Sequence, residues 1–381
     1  MGSIIFRHYQ DGDDKQLADL YNRSFQTNGA GLIRTPKNWN WRYVQSPDFE
    51  REMIQIAEDI EKNKIVGSVH VSLVERVIID DQILLNGEIN DVVCHPEYMR
   101  QGIAKRLLKN AIKYMTKKKC DISILTADYS GFPRKKLYLK EGYKDYDREK
   151  MFIQFPNILN LLHDFYGFAF LTPIFLIISY IPRLLYRLIL KSKPFFDDVS
   201  YEIVRNKKHF KYMDALNRII KPQYVGFHPY TRKKYMWARI NVPSKRHELT
   251  YIIMKKNNEI IGGAAFNTAN IYGFNYGLKF KVGIIHEIFL DKNKFADERK
   301  LHYGYTYLLD KLLKGATRRF AGGIIVFASS LDKSLHQALR AVKFLGFKGA
   351  SVMLKILKKD LKIKKLTKPL YIPTHVSLSI P

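Results

Sequence analysis

Acidic residues are scarce in this chain, and cysteines scarcer still. Against 64 lysines and arginines stand only 36 aspartates and glutamates, a formal net charge of +28 over 381 residues. Such a surplus attracts polyanions: nucleic acid, an anionic membrane face or a phosphorylated small molecule. Charge alone does not choose among them. There are two cysteines, Cys94 and Cys120, and no Cys-x-x-Cys spacing. This excludes a disulfide framework and a cysteine zinc site, and the expectation is a reduced, cytoplasmic protein without metal. The opening MGSIIFRHYQDGDD has no basic stretch followed by an apolar one, so no export signal is expected. Phe6 also stands where modification of Gly2 by myristate needs Ser or Thr.

Apolar residues are plentiful. They make up 46% of the chain, which excludes a disordered protein, and the length suits two domains. One run is unbroken: FYGFAFLTPIFLIISYI, residues 165–181, uncharged and followed by Arg183, Arg187, Lys191 and Lys193. Seventeen residues are at the lower limit for a membrane span, and Pro173 sits in the middle. Three readings stay open: an in-plane or re-entrant membrane anchor, a helix buried between domains, and a spanning helix. Length, proline and flanking positive charge favour the membrane interface.

The same run divides two halves that read alike. Before it, SIIFRHY leads into the amphipathic DKQLADLYNRSF, then WRYVQSPD, then the strand patterns MIQIAED and KIVGSVHVSLV. After it, VSYEIVR leads into HFKYMDALNRII, then WARINVPSK, then LTYIIMKKNNEIIGGAAF. Trp41 matches Trp237, Gly67 matches Gly262 or Gly263, and KEGYK (140–144) matches FLGFK (344–348). An offset this long means duplicated domains rather than a solenoid. Each half reads as α/β, a mostly antiparallel mixed sheet with helices on its faces. The expected boundaries are 1–156, an apolar and basic linker 157–197, 198–360, and a basic tail 361–381.

The first half holds the candidate chemistry. LLNGEINDVVC (84–94) is a strand that Pro96 prevents from continuing as a regular ladder member. Gly102 then opens a helix with Ile103, Leu107, Leu108, Ala111 and Met115 near helical spacing. The first-turn N–H groups of a helix lack intrahelical acceptors, and the dipole there is positive. A glycine lets the backbone approach an anion, so the N–H groups of residues 100–104 could surround a pyrophosphate.

The segment Met99-Arg100-Gln101-Gly102-Ile103-Ala104 resembles the coenzyme A signature of the GNAT superfamily of N-acetyltransferases, Arg/Gln-x-x-Gly-x-Gly/Ala. Met99 departs from it by standing at the Arg/Gln place; either that side-chain contact is missing or Arg100 supplies it. CDISILTADY (120–129) and GFPRKKLYLKEGYK are similar to the family's fifth strand and the helix after it. The resemblance covers about residues 3–155 and implies two GNAT-like domains. It further implies that Val92, Val93 and Cys94 pair with the pantetheine arm where the fourth and fifth strands splay. It implies a thiolate-protonating role for Tyr138, and a base or substrate-anchor role for Glu88, eleven residues before Met99. Asp91 is the alternative carboxylate, expected on the opposite face because strand side chains alternate. Cys94 reads as a small packing residue and His95 as part of a turn.

The second half repeats the scaffold without the grip. Between its strand and helix (283–313) Gly304 is the nearest glycine, and Val342 stands at the place of Tyr138. This half reads as a degenerate GNAT-like copy that closes the acceptor side of the cleft or binds substrate. Lys355, Lys358, Lys359, Lys362, Lys364, Lys365 and Lys368 read either as a solvated helix face and tail or as a polyanion-binding patch.

These readings together imply an acetyl-CoA-dependent N-acetyltransferase that moves an acyl group directly onto a primary amine. The acceptor would be a small molecule or an envelope precursor, and the enzyme would sit peripherally at an anionic inner membrane face. Two alternatives remain: a tandem-GNAT aminoacyl or acyl transferase using a carrier such as tRNA, and a non-enzymatic membrane- or nucleic-acid-associated module. The intact loop disfavours the first, and Glu88, Gly102 and Tyr138 together disfavour the second, so nucleic acid is not the favoured partner.

Overall fold

The computed structural model describes residues 3–26, 33–156, 198–229, 231–243, 248–273, 278–317 and 321–371, with Pro173, Ile174, Ile177, Ile181, Leu184, Leu185 and Leu188 from the linker. The first half runs β1 (Ile4–His8), α1 (Asp14–Gln26), α2 (Pro36–Tyr43), β2 (Ile54–Asp59), β3 (Lys64–Ile79), β4 (Gln82–Cys94), α3 (Ile103–Lys117), β5 (Ile122–Asp128) and β6 (Lys144–Gln154). The second runs β7 (Val199–Arg205), α4 (Met213–Ile220), α5 (Arg232–Tyr235), β8 (Thr250–Lys256), β9 (Glu259–Gly273) and β10 (Leu278–Leu290). It ends with α6 (Glu298–Thr317), β11 (Gly323–Ser329), α7 (Lys333–Ala341) and β12 (Leu345–Ile356). The order repeats, as the paired motifs predict.

Amphipathic helices cover both faces of the sheet. The α3 stripe Ile103, Leu107, Leu108, Ala111, Tyr114 and Met115 is buried against β2, β3 and β4 on one face. On the other, α1 and α2 bury Leu17, Leu20, Trp39 and Tyr43. The second half repeats this with α6 and α7 on one side and α4 and α5 on the other.

All twelve strands join one mixed sheet, in the order β1-β2-β3-β4-β5-β12-β6-β11-β10-β9-β8-β7. Adjacent strands are antiparallel except β4–β5 and β10–β11, which are parallel. The halves exchange their last strands. β12 pairs with β5, Leu354 opposite Ile124, and β6 pairs with β11, Phe152 opposite Val326. The exchanged strands then pair with each other, Phe347 opposite Met151. Separating the halves would break ladder hydrogen bonds in the middle of the sheet, so they are joined by more than a linker.

The matched tryptophans meet across this junction. Trp41 and Trp237 stack with centroids 5.1 Å apart and planes 22° apart. Trp41 Nε1 donates to the Asn241 carbonyl at 2.7 Å, and Trp237 Nε1 donates to the Trp41 carbonyl at 3.0 Å. Both indole donors thereby have an acceptor in the opposite half.

The chain end is not a helix face. Lys355 lies in β12, and residues 361–371 form an irregular strap that runs from the first half onto the second. The Lys364 amide donates to Asp80 at 2.7 Å and the Leu370 amide to Ser329 Oγ at 3.2 Å, while Leu361 and Ile363 pack on the Val77 and Leu84 cluster. Most of the 165–181 run lies outside the described residues. Among the described residues no helix is long and apolar enough to cross a membrane.

Candidate active site

The parallel pairing of β4 with β5 covers only Asn86–Ile89 opposite Ile122–Leu125. Beyond Ile89 the strands part, while β5 stays paired with β12 on its other edge along its full length. Val92, Val93 and Cys94 therefore line a fork, with Val93 and Cys94 held to β3 on their other side. Ser24 Oγ donates to the Cys94 carbonyl at 3.1 Å, which leaves Val92 and Val93 as the freer edge.

The chain leaves β4 through a 3-10 turn at Pro96–Tyr98 and enters α3 through Arg100 (φ 64°) and Gly102 (φ 81°). Gly102 caps α3 without a side-chain hydrogen bond, and no acidic residue sits in the first turn. A Cβ at Gly102 would meet nothing within 4 Å. The helix thus presents its positive end to open space, without a carboxylate of its own to neutralise it. Met99 is exposed here and offers no charge. His95 is buried, and burial holds its pKa below the usual range; its Nδ1 accepts from the Glu97 amide at 3.4 Å, the turn role expected of it.

A polar cluster occupies the α2 face of the fork. Gly87 faces Met115 of α3, so the next residue, Glu88, points the other way. Glu88 is half-buried, and burial raises its carboxyl pKa above the usual range, partly offset by Arg42 and by Lys234 from the second half. Asp91 is on this face too, against the expectation from strict alternation. Ser68 pairs with Val93 but His70 with Asn90, so β4 carries an extra residue, and Asp91 sits at that bulge with φ 43°. The bulge rotates Asp91 toward α2, where its carboxylate takes an ion pair from buried Arg34 and a hydrogen bond from Tyr43 Oη. Arg42 Nε donates to Tyr43 Oη at 3.0 Å.

His70 completes the cluster. It is fully buried, its Nδ1 is 3.8 Å from Asp91, and it packs edge-on against Tyr43 and Trp39. Among the described residues neither ring nitrogen has a hydrogen-bond partner. Burial, with Arg34 and Arg42 nearby, drives its pKa well down and keeps it neutral. A polar residue in the apolar run KIVGSVHVSLV was the signal for His70. Arg34 and Arg42, at the two ends of α2, and Lys234, from the second half, carried none, because nothing local ties them to β4.

Tyr138 ends a π-helical turn (Arg134–Tyr138) and packs in the α3-side core, edge-on to Tyr143. Burial pushes its hydroxyl pKa far up, so it stays protonated at neutral pH. Glu88 and Tyr138 thus stand on opposite faces, with the fork between them. Burial pushes the Cys94 thiol to about 11, which suits packing and not nucleophilic attack. Among the described residues no group of three His, Cys, Asp or Glu could hold a metal.

Residues 6–144 match the family model of an acetyltransferase (GNAT) domain. The first half is a GNAT domain. The likeness to solved structures extends over both halves. A crystal structure of Saccharomyces cerevisiae N-myristoyltransferase with bound myristoyl-CoA matches 93% of this chain and 83% of its own, with a TM-score of 0.71 at 13% identity. A second, with bound myristoyl-CoA and inhibitors, matches 99% of this chain and 86% of its own, with a TM-score of 0.70 at 13% identity. At that identity the likeness establishes the fold alone, two GNAT-like folds in tandem. No curated protein sequence matches significantly.

The second half keeps the framework and fills the grip. Its β10–β11 pairing likewise stops at Ile285 opposite Val326, next to a bulge at His286. Glu287, 196 residues after Asp91, forms a buried ion pair with Arg239, just as Asp91 does with Arg34. A carboxylate–arginine pair at the bulge in both copies marks a structural joint between the splayed strand and its covering helix. The helix start differs. Asp297 Oδ1 accepts from the Lys300 amide at 2.7 Å, and Glu298 lies in the first turn, so the dipole of α6 is already answered. A Cβ at Gly304 would come within 2.6 Å of Phe295, so this glycine serves close packing. Val342 is buried in the core and has no proton to give. A cavity of about 50 Å³ lies in this fork, and Leu370 and Tyr371 of the strap contribute to its lining.

Proposed function

We propose that this protein is an acyl-CoA-dependent N-acyltransferase whose first GNAT domain transfers acetyl to a primary amine. The observation that carries this reading is the start of α3: an uncapped helix with Gly102 at φ 81°, opening beside a fork that β5 has vacated. The amides of residues 100–104 would hold the pyrophosphate of the donor. Arg100 and Gln101 flank it, and Met99, with Ile103 and Ala104, borders the loop. The pantetheine arm would run through the fork along Val92, Val93 and Cys94, bringing the thioester between Glu88 and Tyr138.

Glu88 would take the proton from the acceptor ammonium, directly or through a water, and the amine would attack the thioester carbonyl carbon. Collapse of the tetrahedral adduct breaks the C–S bond; Tyr138 would protonate the departing thiolate, and the second proton shed by the adduct nitrogen would return to the tyrosine through solvent. Asp91 is committed to Arg34 and Tyr43, which leaves Glu88 as the base. The second GNAT copy would form the acceptor wall, since Lys234 faces Glu88 and the Trp41–Trp237 stack fixes its position. The acceptor would be a small amine or a peptide amino group. The fold likeness to a myristoyl-CoA-bound enzyme supports a second reading, a longer acyl donor.

Thermal melting with a series of acyl-CoA donors tests both readings. Acetyl-CoA is expected to stabilise the protein and Gly102→Trp to abolish the effect. Stabilisation by myristoyl-CoA alone would decide for the longer donor. If no acyl-CoA stabilises the protein, the proposal fails. Release of free coenzyme A across a panel of amines would then identify the acceptor.

A further inference from the structure

Outside this site, the described residues of the dividing segment share a pattern. Ile174, Ile177, Ile181, Leu184, Leu185 and Leu188 are all helical, and each is exposed, from 49% at Leu184 to 60% at Ile177. Their separations of three, four, three, one and three residues are those of a single helical face. Scattered exposed leucines are ordinary, but six exposed aliphatic side chains at helical spacing within fifteen positions mark a contact surface.

The sequence around the patch indicates what covers it. From 165 to 196 there is no aspartate or glutamate, while Arg183, Arg187, Lys191 and Lys193 bring four positive charges. A second copy of the chain seated there would set two such cationic segments against each other. An anionic lipid surface takes up the apolar stripe and neutralises the charge together. We propose that this face lies flat in the interface of an anionic phospholipid membrane, with the isoleucines and leucines below the headgroups and the cations among them. The proposal is independent of the acyl-transfer reading.

Flotation of the full-length protein with phosphatidylcholine vesicles, with and without phosphatidylglycerol, provides the test. The protein is expected to float with the anionic vesicles, to remain largely free of the neutral ones, and to be released as salt rises. The triple variant I177E/L184E/L188E should lose at least about tenfold in partitioning while keeping its melting temperature. A quadruple variant, R183Q/R187Q/K191Q/K193Q, leaves the stripe intact and should lose the preference for phosphatidylglycerol. It decides the matter should the triple variant fail to fold. Wild-type protein that stays at the bottom of the gradient would overturn the proposal. So would vesicle binding unchanged in both variants, or a solution dimer that the triple variant converts to monomer without altering flotation.

Discussion

At the scale of single residues, two carboxylates three positions apart on β4 have different fates because of one bulge. Asp91 is turned onto Arg34 and Tyr43 and is held there, whereas Glu88 keeps a carboxyl whose pKa burial raises. A base with a raised pKa becomes active only as pH rises through that higher value, so the acidic limb of the rate profile should lie above that of an exposed glutamate. Arg42 and Lys234 each pull this pKa down. Lys234→Met should therefore move the acidic limb to still higher pH, and an unmoved limb would remove Glu88 from the base role. Glu88→Gln should lower kcat by about 100-fold with acyl-CoA binding retained. Arg34→Met, by contrast, strands Asp91 in the interior and should cost about 3–5 kcal/mol of stability, read from chemical unfolding.

At the scale of elements, the two halves differ at one helix end. α3 begins on a left-handed glycine with no acid near it, and α6 begins on Asp297 and Glu298. Both starts are visible in the sequence, because a helix end is decided by the few residues beside it. The contact between Trp41 and Trp237 is of another kind. Their correspondence at an offset of 196 residues is legible, but that each is the other's neighbour is not. A double-mutant cycle with Trp41→Phe and Trp237→Phe should give a coupling of about 1 kcal/mol, since each loses its indole donor along with part of the stack. Additive effects would mean that the halves are held by the exchanged strands alone.

At the scale of the whole molecule, the joint lies where β6 and β12 cross over into the opposite halves. Glu149 sits on β6 in this seam, buried, and burial together with Asp147 pushes its carboxyl to about 8. A carboxyl raised from the ordinary 4.5 favours the folded state while protonated. Its contribution is full below about pH 4.5 and is lost as pH rises through about 8. Unfolding midpoints compared at pH 6 and pH 9 should therefore fall more for the wild type than for Glu149→Gln; equal falls would show that Glu149 titrates normally. Cooperative unfolding of both halves together is the companion expectation, because neither sheet is complete without a strand from the other.

The sequence by itself determined the duplication, the strand–loop–helix around Gly102, the place of Glu88 before it, and the loss of that loop near Gly304. All of these depend on neighbours within a few residues, where helix dipoles, turn geometry and hydrophobic period act directly. Only the tertiary structure decided that the last strands are exchanged, that a bulge turns Asp91 toward α2, and that His70, Arg42 and Lys234 surround the fork. The period of two is the same for every strand and names no partner. A bulge is one extra residue that becomes visible only against the strand opposite. Lys234 and Glu88 come together because the fold closes a gap of 146 positions that no local rule describes.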